Sequence, residues 1–326
     1  MNKICFGCGS KIQSNDKTRE GYIPESKIDS AIYCQRCFRL IHYGENKESN
    51  VPKSINSIIN NVNKEAKYVI FLADFLTLDE DIINIFKRIK VPKTLVISKC
   101  DIIPKSIRYD VIISSLRNIY NIKEDIKLIS SENGFGINSL INYLEYKKIY
   151  ECYIVGESNS GKSTLINKLI DITGSNLNKI TTSFIPNTTL DFIRLKLNDK
   201  LTIIDSPGFI LDKRLNWNLT NKNNIRRVIN PKTYQMKKDE ILFVHGIYFK
   251  FSENENITLY MNNDIEVKKY YKDLSFDKEI KLKDNTDLIL KGVGFINIKN
   301  KCTMSIMGLN EEYLELRCSI FGGSYE

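Results

Sequence analysis

The sequence predicts an α/β protein built on a mostly parallel sheet, with a cysteine-bearing segment before it and a β-rich part after it. Three observations carry this expectation. From residue 67 to about 190, apolar runs of strand length alternate with segments of helical spacing. One of these runs, "ECYIV" (151–155), leads directly into "GESNSGKS" (156–163), a glycine-flanked loop that opens a helix. Near the N-terminus, "CFGC" (5–8) and "CQRC" (34–37) form two CxxC pairs with 25 residues between them.

In order, "KYVIFLADF" (67–75) is a strand apolar throughout, and "LDEDIINIFKRI" (78–89) has helical spacing. "TLVISK" (94–99) is the next strand, "SIRYDVIISSLRNIY" (106–120) the next helix, "DIKLISS" (125–131) a strand and "GINSLINYLEYKK" (136–148) a helix. Strands without a polar face indicate a sheet covered on both sides. After 190 the rhythm breaks: "DFIRLKL" (191–197) alternates, and "LTIIDSPG" (201–208) is a buried strand ending in a loop. Residues 212–230 are polar and weakly helical, as a connector would be. Beyond Pro231, "EILFVHGIYFKF", "NITLYMN", "TDLILKGVGFINI", "CTMSIMG" and "YLELRCSIF" are strand-like. The expected domains are a finger at 1–46, a nucleotide domain at 47–211, the connector at 212–230 and a β-rich domain at 231–326. Asn- and Ile-rich stretches such as "NSIINNVNKEAK" look like genome bias, and no function is drawn from them.

Composition narrows the class. The chain of 326 residues is 42% hydrophobic and 10% aromatic, ordinary for a soluble globular protein. No apolar stretch approaches the roughly 18 residues that would mark a membrane span, and "MNKICFGCGSK" has no signal-peptide core. A cytoplasmic, membrane-independent protein is expected, with a monomer as the default. The net charge of +9 favours polyanionic partners. Of the eight cysteines, four form the CxxC pairs while Cys100, Cys152, Cys302 and Cys318 are scattered. In a reducing compartment, paired CxxC units indicate metal rather than disulfides.

The loop at 156–163 fits G-x-x-x-x-G-K-[ST] in full, between a strand and a helix, and so predicts nucleoside triphosphate binding. Gly156 and Gly161 allow the tight backbone path, and the loop amides of Ser158, Asn159, Ser160 and Thr164 with the helix N-terminus surround the phosphates. Lys162 supplies charge to the β/γ-phosphates, and Ser163 offers a hydroxyl to Mg²⁺. "DSPG" at Asp205–Gly208 ends a buried strand, where an Asp holds the Mg²⁺ hydration shell and the Gly208 amide senses the γ-phosphate. In "TTSFIPNTTLD" (181–191), Thr189 is the preferred hydroxyl to complete Mg²⁺ coordination, with Thr188 as an alternative. Lys162, Thr189 and Gly208 are thus the expected catalytic set. Phe209 stands where Ras-like enzymes carry a water-orienting Gln, so slow hydrolysis is expected. Asn159 is a candidate K⁺ ligand.

"SKCD" (98–101) differs by one residue from Asn-Lys-x-Asp. Its carboxylate, Asp101, would accept from guanine N1 and N2, while the Lys99 stem covers the base. "ISSE" (129–132) resembles the loop in which a backbone N–H, here from Ser130 or Ser131, meets guanine O6. Both precede the phosphate loop, so the chain reads base, base, phosphate, switch, switch: a phosphate-loop sheet in circularly permuted order. All five loops then fall at the strands' carboxyl ends, where α/β sheets bind ligands. The second switch leads through 212–230 into the β-rich domain, so a switching loop would pull on an attached domain.

Cys5, Cys8, Cys34 and Cys37 together suit a tetrahedral zinc site of treble-clef type; a redox dithiol, the rival, expects a single CxxC. "NIRRVINPKTYQMKK" and "VKKYYKD" interleave cations with aromatics, a mixture that suits RNA binding, with solvated surface charge as the alternative.

Together, "CFGCGSKIQ…CQRCFRLIHY", "SKCDIIPKS", "GESNSGKSTLIN", "TTSFIPNTTLD", "DSPG" and "NPKTYQM…GVGF" resemble the YqeH-type circularly permuted GTPases over nearly the whole chain. The resemblance implies a Mg²⁺-dependent, K⁺-stimulated GTPase with a zinc finger and an RNA-contacting C-terminal domain. Its implied task is assembly of the small (30S) ribosomal subunit. Ser98 replaces the usual Asn, Asn187 a usual Gly, and Glu132 the usual Lys. The alternatives are a zinc-containing ATPase with an accidental SKCD, and a nucleotide-binding scaffold without turnover. Asp101→Asn separates the GTPase from the ATPase, since only a guanine site would lose its preference.

Overall fold

The computed structural model describes residues 3, 5, 11–16, 19, 21–28, 31, 33–35, 54–173, 182–184, 192–198, 200–215 and 230–322. The chain divides into two compact units. The first comprises Met1–Asp74, Asn84–Asp101 and Glu124–Ile210; the second comprises Phe75–Ile83, Ile102–Lys123 and Leu211–Glu326.

The first unit holds one sheet of seven strands. The parallel members are β1 (Val69–Asp74), β2 (Lys93–Ser98), β3 (Asp125–Leu128), β4 (Glu151–Gly156) and β7 (Thr202–Asp205), with β6 (Ile193–Lys196) and β5 (Thr182–Phe184) antiparallel at one edge. The order across the sheet is β3-β2-β1-β4-β7-β6-β5. Every residue of β1 is buried, as its unbroken apolar run requires. One face packs Ile70, Leu72, Val96, Cys152 and Ile154 against Leu140 and Leu144 of α4 (Ile137–Tyr146) and Leu165 and Leu169 of α5 (Lys162–Ile172). On the other face Phe71 meets Phe86, from α2 (Glu80–Arg88), with ring centroids 5.5 Å apart. A further helix, α1 (Ile55–Glu65), buries Ile58, Ile59 and Val62. It falls within the Asn-rich stretch that composition alone leaves silent, since the apolar spacing there is carried by only three buried positions.

β4 is central, with β1 on one side and β7 on the other; after β1 the chain steps outward through β2 to β3, whereas after β4 it crosses to the opposite edge at β5 and returns through β6 to β7. Loops leaving β1 and β4 therefore diverge, which opens the crevice where such sheets take ligands.

The second unit is a sandwich of two five-stranded antiparallel sheets, ordered β12-β9-β10-β16-β13 and β17-β14-β15-β11-β8. Its strands are β8 (Lys232–Met236), β9 (Ile241–Val244), β10 (Ile247–Phe251), β11 (Glu255–Met261), β12 (Val267–Tyr270), β13 (Lys278–Leu282), β14 (Thr286–Leu290), β15 (Gly294–Ile298), β16 (Cys302–Met307) and β17 (Leu314–Cys318). Leu242, Phe249, Phe251, Leu259, Leu288, Ile296 and Met304 fill the space between the sheets. His245 and Gly246 join β9 to β10 with φ of 44° and 96°, the two left-handed positions of a tight hairpin.

Alternation along β14 sends Leu288 and Leu290 into the sandwich and leaves Asp287 and Ile289 buried on the outer face. That face is covered by Phe75–Ile83 and by α3 (Tyr109–Tyr120). Phe75 packs on Phe295 at 5.9 Å, and Arg317 donates to the Leu78 carbonyl at 2.7 Å and to the Tyr120 hydroxyl at 3.0 Å. The polar segment after 211 also joins this unit: Arg214 is buried and pairs with Asp79, which in turn accepts from the Ile82 N–H at 3.0 Å. Among the described residues no helix is long and apolar enough to cross a membrane.

Candidate nucleotide site

The phosphate loop leaves β4 at Gly156, where a Cβ would fall 2.3 Å from the Leu72 carbonyl oxygen; only glycine lets this strand end lie so close to β1. Asn159 and Gly161 turn the chain with φ of 67° and 94°, and α5 begins at Lys162. The helix N-terminus thus faces the crevice with its partial positive charge. Asn159 is exposed, Ser160 buried, and Ser158, Ser163 and Gly161 lie between these extremes. The Ser160 hydroxyl has no hydrogen-bond partner. Thr164 follows in the first turn of the helix.

Lys162 is buried, and its ammonium donates to the carbonyls of Gly156 at 2.9 Å and Glu157 at 3.0 Å. Burial lowers its pKa, while the charges of Asp205 and Glu157 pull it back up. Asp205, at the end of β7, is the counterpart. Burial pushes its carboxyl up to about 6 against the pull of Lys162, and its Oδ1 has no partner. An orphaned, buried carboxylate oxygen beside the helix N-terminus fits the donor chemistry of a Mg²⁺ hydration shell. Gly208 lies against the phosphate loop: a Cβ there would come 2.7 Å from Ser158 Oγ and 3.0 Å from Lys162 Nζ. Phe209 follows, buried against Phe71, and the Ser158 N–H donates to its carbonyl at 2.7 Å. An apolar, buried side chain here has no means of orienting water.

The raised Asp205 pKa has a definite pH signature. The folded protein binds this proton more tightly than the unfolded chain, so the associated stability is present below about 3.8 and is lost as pH rises through about 6. Urea denaturation of the nucleotide-free protein is expected to show that loss between these pH values, and Asp205→Asn is expected to reduce it, the remainder coming from Asp287 and Glu315, whose carboxyls burial also raises. An unchanged slope in the variant would reject the assignment.

The SKCD loop leaves β2 and meets the phosphate loop. Ser98 Oγ lies 2.7 Å from the Ser160 carbonyl and 3.2 Å from that of Ala73, so the hydroxyl in the usual Asn position still bridges to the phosphate loop. Lys99 adopts φ of 59°, and its ammonium pairs with Asp74 at the end of β1. The Cys100 N–H donates to the Ile129 carbonyl at 3.0 Å. At the next residue, Asp101 Oδ1 accepts from the Ser130 hydroxyl. Ser130 is fully buried, its N–H donating to the Phe135 carbonyl at 2.9 Å, and Ser131 is half-buried beside it. The SKCD and ISSE loops thus share a direct contact. Asp74 and the bridging part of Ser98 are not legible in any tetrapeptide, because both depend on strand register: Asp74 and Ser98 are cross-strand partners of β1 and β2.

Thr188 and Thr189 lie outside the described residues, as do Cys8, Cys37 and Asn187. Cys5 and Cys34 are both buried, and the Cys34 N–H donates to Cys5 Sγ at 3.1 Å. Such N–H···S bonds suit a thiolate, so the described half of the cysteine set is chemically compatible with zinc.

Comparison with known proteins points the same way. A family described as RsgA GTPase matches residues 56–211, and one described as 50S ribosome-binding GTPase matches 151–282. The uncharacterized protein YqeH of Bacillus subtilis is 31% identical over 283 residues, covering 81% of this chain and 76% of its own. Nitric oxide-associated protein 1 of Mus musculus is 24% identical, covering 59% of this chain and 36% of its own. GTPase Der of Mycoplasma mycoides is 27% identical, covering 67% and 56% respectively. With this sequence held in common, and a complete phosphate loop between strand and helix, the chain is a GTPase and belongs to the YqeH family.

Proposed function

We propose that this GTPase carries its nucleotide motifs in circularly permuted order and uses its nucleotide state to time binding to ribosomal RNA during assembly of the small (30S) subunit. The observation that carries the permuted reading is the Ser98–Ser160 bridge. It joins a base-side loop to a phosphate loop 62 residues further along the chain. In this reading Asp101 and Ser130 form the guanine edge, with Lys99 and Ser131 beside it. The amides of Gly156 to Thr164, with Lys162, stabilise the phosphates, and Gly208 senses the terminal one. Ser163, Asp205 and Thr189 would hold Mg²⁺, which neutralises charge on the phosphoryl oxygens when bound. Water attacks without a protein nucleophile, and the burial of Phe209 supports a slow intrinsic rate. Asn159, exposed on the phosphate loop, is the proposed K⁺ ligand. Cys5, Cys8, Cys34 and Cys37 would hold a structural Zn²⁺, which cross-links a segment whose described apolar cluster is small, centred on Cys5, Ile12, Ile23 and Cys34.

The net charge of +9 and the cationic, aromatic stretches of the C-terminal part support an RNA partner. Sedimentation with separated ribosomal subunits tests the proposal: co-migration with the small subunit is expected in a non-hydrolysable GTP analogue and not in GDP. The matched family description names the 50S particle, so co-migration with the large subunit instead would redirect the proposal there. Migration with neither would remove the ribosome from the account while leaving the GTPase intact.

A further inference from the structure

The acidic residue at the end of β1 lies at the base-side loop but belongs to none of the nucleotide motifs. We propose that Asp74 is a positioning residue for the base site: it holds the Lys99 ammonium away from Asp101, leaving that carboxylate to accept from the edge of the base. The inference rests on the reading of Asp101 as the guanine acceptor.

The geometry follows from register. Asp74 and Ser98 are cross-strand partners, so Lys99 emerges beside Asp74. The Asp74 side chain is 7% exposed and that of Lys99 32%. A buried carboxylate is tolerated when a cation meets it, and Lys99 Nζ does so at Oδ2. The lysine backbone is left-handed, at φ 59°, a conformation disfavoured for any residue with a long side chain. It is fixed from both sides, by Ser98 Oγ on the Ala73 and Ser160 carbonyls and by the Cys100 N–H on the Ile129 carbonyl. The ammonium is therefore placed on Asp74 by a constrained backbone rather than by a mobile chain finding a partner.

The need for such a device is built into the tetrapeptide. Asp101 stands two residues after Lys99, is exposed, and takes the Ser130 hydroxyl on Oδ1. A lysine stem reaches a carboxylate two residues away with ease, and opposite charges at that range attract in any solvent. A lysine paired with Asp101 would occupy the acceptor that guanine N1–H and the N2 amino group require. Asp74 resolves the conflict, since it offers the same ammonium a drier partner on the neighbouring strand.

Titration of a fluorescent GDP analogue into the full chain tests this, using Asp74→Asn, Lys99→Met and the double variant. Asp74→Asn is expected to weaken GDP binding roughly tenfold, the size of one misplaced charge-assisted hydrogen bond. It is also expected to lower the preference for GDP over IDP, whose base lacks the N2 amino group. Lys99→Met in the Asp74→Asn background is expected to recover both, because no ammonium remains to claim Asp101. This sign reversal is the decisive readout, since a merely structural Asp74 would not be rescued by removing its partner. Should Asp74→Asn fail to fold, the double variant buries no lone charge and can be compared with Lys99→Met alone: equal GDP affinity is expected, and a weaker double variant would overturn the proposal. Unchanged binding in Asp74→Asn, or additive losses in the double variant, would overturn it equally. Failure of the wild-type chain to prefer GDP over IDP would instead overturn the guanine-site reading beneath it.

Discussion

Lys162→Ala is expected to slow GTP hydrolysis by roughly 100- to 1,000-fold, the cost of removing one preorganised donor from charge developing in a transition state. The magnitude follows from where the ammonium lies. Two loop carbonyls hold it at 2.9 and 3.0 Å, so it is aimed before substrate arrives and reorganises little during reaction. Burial disfavours its charge, and Asp205 restores part of that loss. A charge kept in so dry a position interacts strongly with phosphate oxygens. Phosphate release at saturating GTP and Mg²⁺, with K⁺ present, is the measurement. Retention of the wild-type rate would show that turnover does not pass through this loop.

The largest effect on stability is expected from Arg317→Ala, about 3–5 kcal/mol, the usual cost of breaking a buried ion pair from one side. Arg317 Nε lies 3.2 Å from Asp287 Oδ2, with both side chains almost completely buried. Its NH1 serves Leu78 and Tyr120, and the guanidinium stacks 5.1 Å from the Phe295 ring centroid. Burial pushes the Asp287 pKa up, and Arg317 is first among the groups that hold it down. Alanine would leave Asp287 buried with only the Asn297 amide and the Ile320 N–H as partners. Urea denaturation monitored in the far ultraviolet should show a lower midpoint. Arg317→Met combined with Asp287→Asn should recover much of the loss, because the unpaired charge is then absent. A single variant as stable as wild type would mean that water replaces the guanidinium.

Periodicity made the sheet legible. Each apolar run between 67 and 155 became a strand within a few residues of its expected limits, because strands covered on both faces leave no room for polar positions. The phosphate loop and DSPG were equally plain, since their glycines are demanded by local geometry. The edge strands β12 and β13 were not, being rich in Lys and Glu that face solvent. Nor were the buried charges. Arg317, Asp287, Asp79 and Arg214 look like surface residues in a linear reading, and only long-range packing gives them partners. Asp74 was hidden for a related reason: it ends an apolar run as a strand terminator would, and its task appears only when β2 is laid beside it.

The contact between Arg317 and Leu78 spans 239 positions of sequence. On a chain made from its N-terminus, Phe75 and the buried side of α3 emerge long before the strand that covers them. Synthesis must pass residue 317 before the Leu78 carbonyl and the Tyr120 hydroxyl meet their partner. Contacts of such separation form late and slowly, and exposed apolar surface in the interval invites association. Premature termination before Leu314 would therefore do more than shorten the chain: it would remove the strand that completes a structure begun at residue 75.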